Sequence, residues 1–260
     1  MPLAVATTLD CADIAKRVFA GPTTQNCGTE QCNAGSSAAI LRNLAELALE
    51  RMQSIDQRLT VNGRESRVWV DYRAPRPGLW IFGAGDDAKP LLRLARELGW
   101  FVSVADGRSH LATRERFLAA DKVMTLSIST LPETASSFFS DVKATDAAVL
   151  LTHSFEQDSQ ILAGLFAREV RPVYVGVLGP QRRTREVLAE AAKLLALPNP
   201  TQRAEQWLSQ MHAPTGLDLG AETPAAIALS IIAEIQQTLN NASALPLRQV
   251  RAVPLAVSPV

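Results

Sequence analysis

Cysteine, net charge and long apolar runs are all scarce in this chain of 260 residues. Its three cysteines, Cys11, Cys27 and Cys32, are an odd number without framework spacing, which fits a reducing compartment and not a secreted disulfide scaffold. Cys27 and Cys32 have no histidine beside them, so four zinc ligands cannot be assembled and no metal site is expected. Free or incidental thiols are the plainer account, with sulfur handling by Cys32 left open. Lysine plus arginine and aspartate plus glutamate each total 26, and this balance argues against wholesale binding to nucleic acid or an anionic membrane. No apolar run approaches the ~20 residues of a membrane span. The opening MPLAVATTLDCAD has neither a basic region nor a sustained apolar core, so no secretory signal is expected and the reading is cytoplasmic. Internal repeats and low-complexity tracts are absent too.

What the chain does contain is an apolar fraction of 47%, ample for a core, and one segment that organises the rest. From Leu79 to Asp106 it reads LWIFGAGDDAKPLLRLARELGWFVSVAD. Leu79 to Phe82 is apolar without a period, as in a parallel strand covered on both faces. Gly83 permits a tight turn, Gly85 leaves room for a ligand, and Ala88 takes the third small position of a G-x-G-x-x-A pattern. Leu91, Leu92, Ala95 and Leu98 follow at helical spacing, and Gly99 ends that helix. Phe101 to Val104 forms a second strand with Asp106 at its end, where a carboxylate could take the hydroxyls of an adenine ribose. The pattern predicts a Rossmann-type nucleotide-binding fold. Asp86 and Asp87 complicate the ligand: they occupy the helix start that a pyrophosphate would use, and the simpler reading is that they cap the helix themselves. Pro90 removes one more N–H from the first turn.

Along the chain, residues 10–20 suggest a short amphipathic helix and residues 21–37 a thiol-bearing loop. A helix is expected from Ala38 to Ile55, with Leu41, Leu44, Ala48, Met52 and Ile55 on one side. Gly63 turns the chain toward a strand at Val68 to Tyr72. Pro75, Pro77 and Gly78 mark the best domain boundary, which gives a small N-terminal α/β module (1–76), a Rossmann-like domain (77–240) and a tail or edge strand (241–260). Further strands are expected at Lys122 to Ile128, Ala147 to Thr152 and Pro172 to Leu178. Helices are expected near 133–140, Phe155 to Arg168 and Arg183 to Leu195, with a last one from the Thr223–Pro224 cap to Leu239. This alternation predicts an α/β protein, a parallel sheet with helices on both faces.

Ligands of such sheets bind beyond the carboxyl ends of the strands. His153 follows the strand AVLLT, and Asp158, five residues on, is placed to orient its ring for acid or base work. They are the best catalytic candidates. The turn GVLGPQRRTRE holds Gly179, Arg182, Arg183 and Arg185 at a helix start, a natural anion site. Arg108 belongs to the VADGR strand end. His212 opens the turn-dense HAPTGLDLGAETP, where closing the domain is the stronger default.

Four segments together resemble the XdhC/CoxI accessory proteins: FGAGDDAKPLLRLARELGW with VADGR, LLTHSFEQD, YVGVLGPQRRT and MHAPTGLDLGAETPAAIALSIIAEI. They span roughly residues 79–237 in the right order. The resemblance implies a chaperone, not itself catalytic, that binds molybdenum cofactor, shelters it during sulfuration and passes it to a xanthine dehydrogenase-type apo-enzyme. A cysteine desulfurase and a second copy of the chain are further implied partners. The cofactor would draw on Gly83, Gly85, Asp86, Asp106, Arg108, His153, Gly179, Arg182, Arg183 and His212. The family's N-terminal glycine-cysteine signature is matched here only by Cys32 and Gly35. Two other readings stay open: an NAD(P)-dependent oxidoreductase, and a non-catalytic interaction scaffold built on the same fold.

Overall fold

A computed structural model describes residues 2–8, 17–20, 37–61, 64–127 and 138–250, and the chain divides after Arg76 into two units. In the first unit the strands are β1 (Leu3–Thr8), β2 (Arg17–Ala20), β3 (Ile55–Val61) and β4 (Arg64–Arg73), with one helix, α1 (Ser37–Arg51). They form an antiparallel sheet in the order β2-β1-β4-β3. Strand alternation sends Ala4, Ala6, Val68 and Val70 to one face, where Leu41, Leu44, Ala45 and Ala48 of α1 cover them. Three sequence expectations change here. Arg17–Ala20 is a strand, because its residues pair with β1 in a register that sets Val18 against Ala6. The helix stops at Arg51, since Met52 takes a positive φ of 51° and is exposed, and Ile55 begins β3. Strands β1 and β3 are additions to the expected set: β1 pairs with β4 from far along the chain, and β3, the hairpin partner of β4, is mostly polar and exposed and so lacks an apolar-strand signal. Cys11, Cys27, Cys32, Gly35 and Gly63 lie outside the described residues.

The second unit is built on five parallel strands: β5 (Gly78–Phe82), β6 (Phe101–Asp106), β7 (Lys122–Thr125), β8 (Ala147–Leu150) and β9 (Tyr174–Val177). Their order is β7-β6-β5-β8-β9, and each neighbouring pair is parallel. The described helices are α2 (Ala88–Glu97), α3 (Phe155–Phe166), α4 (Gln181–Leu194), α5 (Pro200–Leu208), α6 (Pro224–Leu239) and the short α7 (Leu247–Val250). Along β5, Leu79 and Ile81 face one core and Trp80 and Phe82 the other. One core takes Leu91 of α2 and Ile231 of α6, and the second takes Ile161 of α3, Leu188 of α4 and Trp207 of α5. Both faces of the sheet are therefore covered, which is why its strands read as unbroken apolar runs.

Buried Asp146 pins the start of β5 by accepting from the Gly78 N–H and the Trp80 indole, each at 3.2 Å. Thr223 caps α6 by accepting from the Ala226 N–H at 3.2 Å, as its Thr-Pro pair predicts. Helix α5 is a further addition. Its start is an Asn199 in the left-handed region followed by Pro200, and its anchor is Trp207, stacked on Phe166 with ring centroids 4.6 Å apart. Residues 247–250 form a helical turn where a tail or edge strand is expected from the sequence. Most of the helix expected at 133–140 lies outside the described residues.

Candidate functional site

The strand order reverses between β5 and β8, and the crevice of a doubly wound sheet opens beyond the carboxyl ends of such a pair. After β5, Gly83 has φ +124° and donates to the Ala105 carbonyl at 2.8 Å. A Cβ there would meet the Leu151 carbonyl oxygen at 2.7 Å, so glycine is required by the neighbouring strand end. The turn continues into Ala84, whose N–H donates to Asp106 Oδ2 at 2.7 Å.

Asp106 is fully buried, and its carboxylate is spent within the protein. Arg108 reaches it three times, through its backbone N–H at 2.8 Å, Nε at 3.0 Å and Nη2 at 2.7 Å. Burial pushes this carboxyl up, but the Arg108 guanidinium and the two backbone N–H groups outweigh it and hold the group below the usual carboxylate range. Asp106 thus fastens the β6 end to the glycine turn, and its carboxylate is turned to the protein and not offered to a ribose.

Neither acid of the turn caps α2 through its side chain. Asp86 is exposed and pairs with Lys89 at 2.8 Å and Arg116 at 3.0 Å, which hold its carboxyl below the usual range. Asp87 Oδ2 meets His153 Nε2 at 3.2 Å. The capping expectation is therefore corrected: Asp86 pairs with Lys89 of its own helix and with Arg116, and Asp87 reaches across to the strand end after β8.

His153 sits after β8 with φ +58°, a left-handed conformation uncommon for a residue with a Cβ. Its ring finds Asp87 and not Asp158, the expected partner. Asp158 is 2% exposed, takes a hydrogen bond from Thr152 Oγ1 at 2.5 Å and lies 2.7 Å from Arg183 Nη2. Burial pushes its carboxyl above the usual range against the pull of those two partners. Ser154, next to His153, caps α3 by accepting from Gln157 N–H at 3.3 Å.

Asp87 and His153 are also the only polar residues lining a cavity of about 220 Å³. Leu91 of α2, Leu151 after β8, Leu178 after β9, and Ile227 and Ile231 of α6 supply most of its apolar wall.

After β9, Gly179 has φ +119° with open space where a Cβ would stand. The arginines that follow do not converge. Arg183 goes to Asp158, Arg185 to Glu205 at 2.9 Å, and Arg182, 89% exposed, stands 3.9 Å from Glu186. Helix α4 begins at Pro180 with no side-chain cap and no acid in its first turn.

His212 belongs to a separate knot beside β9. Its backbone brackets that strand, donating to Val175 O and accepting from Val177 N–H, both at 2.9 Å. Its ring stacks on Tyr174 at 4.2 Å between centroids, and Nδ1 meets Glu234 Oε1 at 3.0 Å. Glu234 also accepts from Tyr174 Oη at 2.6 Å and Gly216 N–H at 2.7 Å. Burial raises its carboxyl, yet the donors from His212, Tyr174 and Gly216 prevail and hold it below the usual range, while burial and Glu234 push the Tyr174 phenol up. Glu234 carries no local signal in the sequence, as it lies mid-helix and far along the chain from its partners. Among the described residues, no group of three His, Cys, Asp or Glu side chains could hold a metal ion.

A parallel sheet covered on both faces, with a glycine turn after its central strand and a cavity at its switch point, defines a Rossmann-type domain. The chain belongs to the XdhC family: the family model for the XdhC Rossmann domain matches residues 79–235. It is similar to a protein of Bacillus subtilis named as a probable subunit of xanthine dehydrogenase, with 37% identity over 66% of this chain and 46% of that protein. It is also similar to the uncharacterized protein YqeB of Escherichia coli, with 28% identity over 69% of this chain and 30% of that protein. The chain thus spans less than half the length of either curated relative. A solved structure described as a xanthine dehydrogenase from Bacillus halodurans shares the fold, with a TM-score of 0.60 and 21% identity, over 96% of this chain and 63% of that one. No helix among the described residues is long and apolar enough to cross a membrane.

Proposed function

We propose that this chain binds molybdenum cofactor in the cleft beyond the sheet and supports its sulfuration and insertion into a xanthine dehydrogenase-type enzyme. The Bacillus subtilis relative, named for xanthine dehydrogenase, supports the choice of client. The observation that carries the reading is the beginning of α4. Helix α2 starts behind Asp86 and Asp87, and α3 is capped by Ser154 with Glu156 and Asp158 in its first turn. Only α4, of these three helices at the strand ends, has no acid either at its N-cap or in its first turn, and it has no side-chain cap.

The residues present fit an anionic cofactor at that end of the cleft and not at the other. A phosphate there would meet the N–H groups of Gln181 and Arg182, the positive end of the helix and the Arg182 guanidinium, with nothing crowding Gly179. At the β5 turn the same group would meet Asp86 and Asp87. The cofactor supplies the client's redox chemistry, and the residues here hold and orient it. His153, 69% exposed, is placed to donate to an oxygen-rich ligand. A cysteine desulfurase and a second copy of the chain belong to the same proposal as partners.

The test is direct binding of isolated molybdenum cofactor to the purified chain, with Arg182→Ala as the variant. Binding that weakens about tenfold in the variant supports the reading. Unchanged affinity removes the phosphate site, and no binding by the parent chain removes the function.

A further inference from the structure

The anion site leaves the cavity between α2, α6 and the ends of β8 and β9 without an assigned occupant. We propose that it takes a flat heterocycle presenting two adjacent N–H donors, the 2-amino-4-oxopyrimidine edge shared by guanine and pterin rings, with the Asp87 carboxylate as acceptor. This deepens the cofactor-binding reading of the same cleft and rests on it.

Size sets the first limit. At about 220 Å³ the cavity is smaller than the roughly 300–1,000 Å³ of pockets that enclose whole ligands, so it suits one ring system of a larger molecule. Its walls are the second. Leu91, Leu151, Leu178 and Ile227 come from different elements and offer dispersion contacts but no hydrogen bonds, which favours the faces of a planar ring. All polarity is left to Asp87 and His153.

Asp87 decides the edge. Its side chain is 27% exposed, Oδ2 meets His153, and Oδ1 receives no hydrogen bond among the described residues. A carboxylate oxygen beside an apolar wall, with no donor from the protein, is a ready acceptor for a ligand N–H, and a charge-assisted bond there is stronger than one between neutral groups. The negative charge rejects a phosphate or a carbonyl edge. Adenine sets one donor beside an acceptor, whereas guanine and pterin set N–H beside NH₂, a pair that matches the two oxygens of a carboxylate. His153 is able to yield Oδ2, because its exposed ring is held by this contact alone among the described residues and its backbone is already in a sparsely populated region.

The test titrates the full chain with guanosine and with 6-hydroxymethylpterin, both free of phosphate, against adenosine. At least one of the first two is expected to bind about tenfold or more tightly than adenosine, and Asp87→Asn is expected to lose that margin. Ile227→Trp, which fills the cavity from a partly exposed position, is a second variant with the same expectation should Asp87→Asn fail to fold. Arg182→Ala leaves the affinity for both phosphate-free probes unchanged. Binding of the pterin alone, or of guanosine alone, identifies the source of the ring. Equal binding of adenosine, no binding of either probe, or full affinity in the folded variants overturns the proposal. Molybdenum cofactor that still binds Asp87→Asn and Ile227→Trp at parent affinity overturns this pocket while leaving the function above intact.

Discussion

The turns after β5 and β9 share a local grammar of strand, glycine with positive φ, and helix, yet the molecule fills one and leaves the other open. At Gly83 a Cβ would strike the Leu151 carbonyl, and the acids around it are engaged by Arg108, Lys89, Arg116 and His153. At Gly179 nothing stands within 4 Å of that position, and the helix behind it is uncapped. The difference teaches that a glycine-rich turn is a statement about backbone geometry. What it binds depends on which charges its neighbours have already spent.

The largest effect should come from the arginine that the open turn has surrendered to the core. Arg183→Ala strands Asp158, which is almost wholly buried, and loss of one partner of a buried pair costs about 3–5 kcal/mol. The pH dependence sharpens this. The Asp158 carboxyl already sits above its unfolded value, so its contribution is fully present below that value and is lost as pH rises through the folded one. Without Arg183 the group rises further. Chemical denaturation should therefore show a deficit that is larger at pH 7 than at pH 4, and a deficit independent of pH would break the assignment.

Next comes the contrast between the two glycines. Gly83→Ala meets backbone as well as an unfavourable φ and should cost about 3 kcal/mol, whereas Gly179→Ala carries the φ penalty alone, about 1 kcal/mol. Equal losses in urea titrations would erase the distinction between a filled and an open turn. Asp106→Asn should follow at about 2 kcal/mol, because it removes the charge from the hydrogen bonds to Arg108. Here the sign is reversed. The folded carboxyl lies below its unfolded value, so the parent keeps this stability above roughly pH 4 and loses it as pH falls further, and the variant's deficit should shrink in acid.

Much of this fold is legible in the sequence, and for a physical reason. Strands buried on both faces must be continuously apolar, so β5, β6, β8 and β9 announce themselves, and Thr223–Pro224 marks a helix start that needs only its own neighbours. Strand β1 is not legible because its pairing with β4 is nonlocal, β3 because its polar, exposed residues carry no apolar run, and Met52 leaves its helix where periodicity would keep it. The site divides in the same way. His153 is findable as a strand-end residue, but its partner Asp87 comes from a different strand end, and the local rule that an acid before a helix is a cap points elsewhere. The arginines read as one cluster because they are adjacent in sequence, and they part because successive helix positions face different directions.

Arg182 offers the smallest stability change and the cleanest test of what the open turn is for. Its side chain is 89% exposed and its acid neighbour stands at 3.9 Å, so Arg182→Ala should move the unfolding free energy by no more than about 0.5 kcal/mol. A basic residue in the first turn of a helix opposes the dipole, so stability alone gives no reason for it to be there. An anion supplies that reason, because the same guanidinium then adds to the N–H groups it otherwise repels. Inorganic phosphate should accordingly raise the melting temperature of the parent chain more than that of Arg182→Ala, and the gap should close as salt screens the exposed charge. Asp87→Asn, at the filled turn, should leave that phosphate effect where it is. If phosphate stabilises both arginine forms alike, the open turn is open for some other reason, and the two turns differ only in packing.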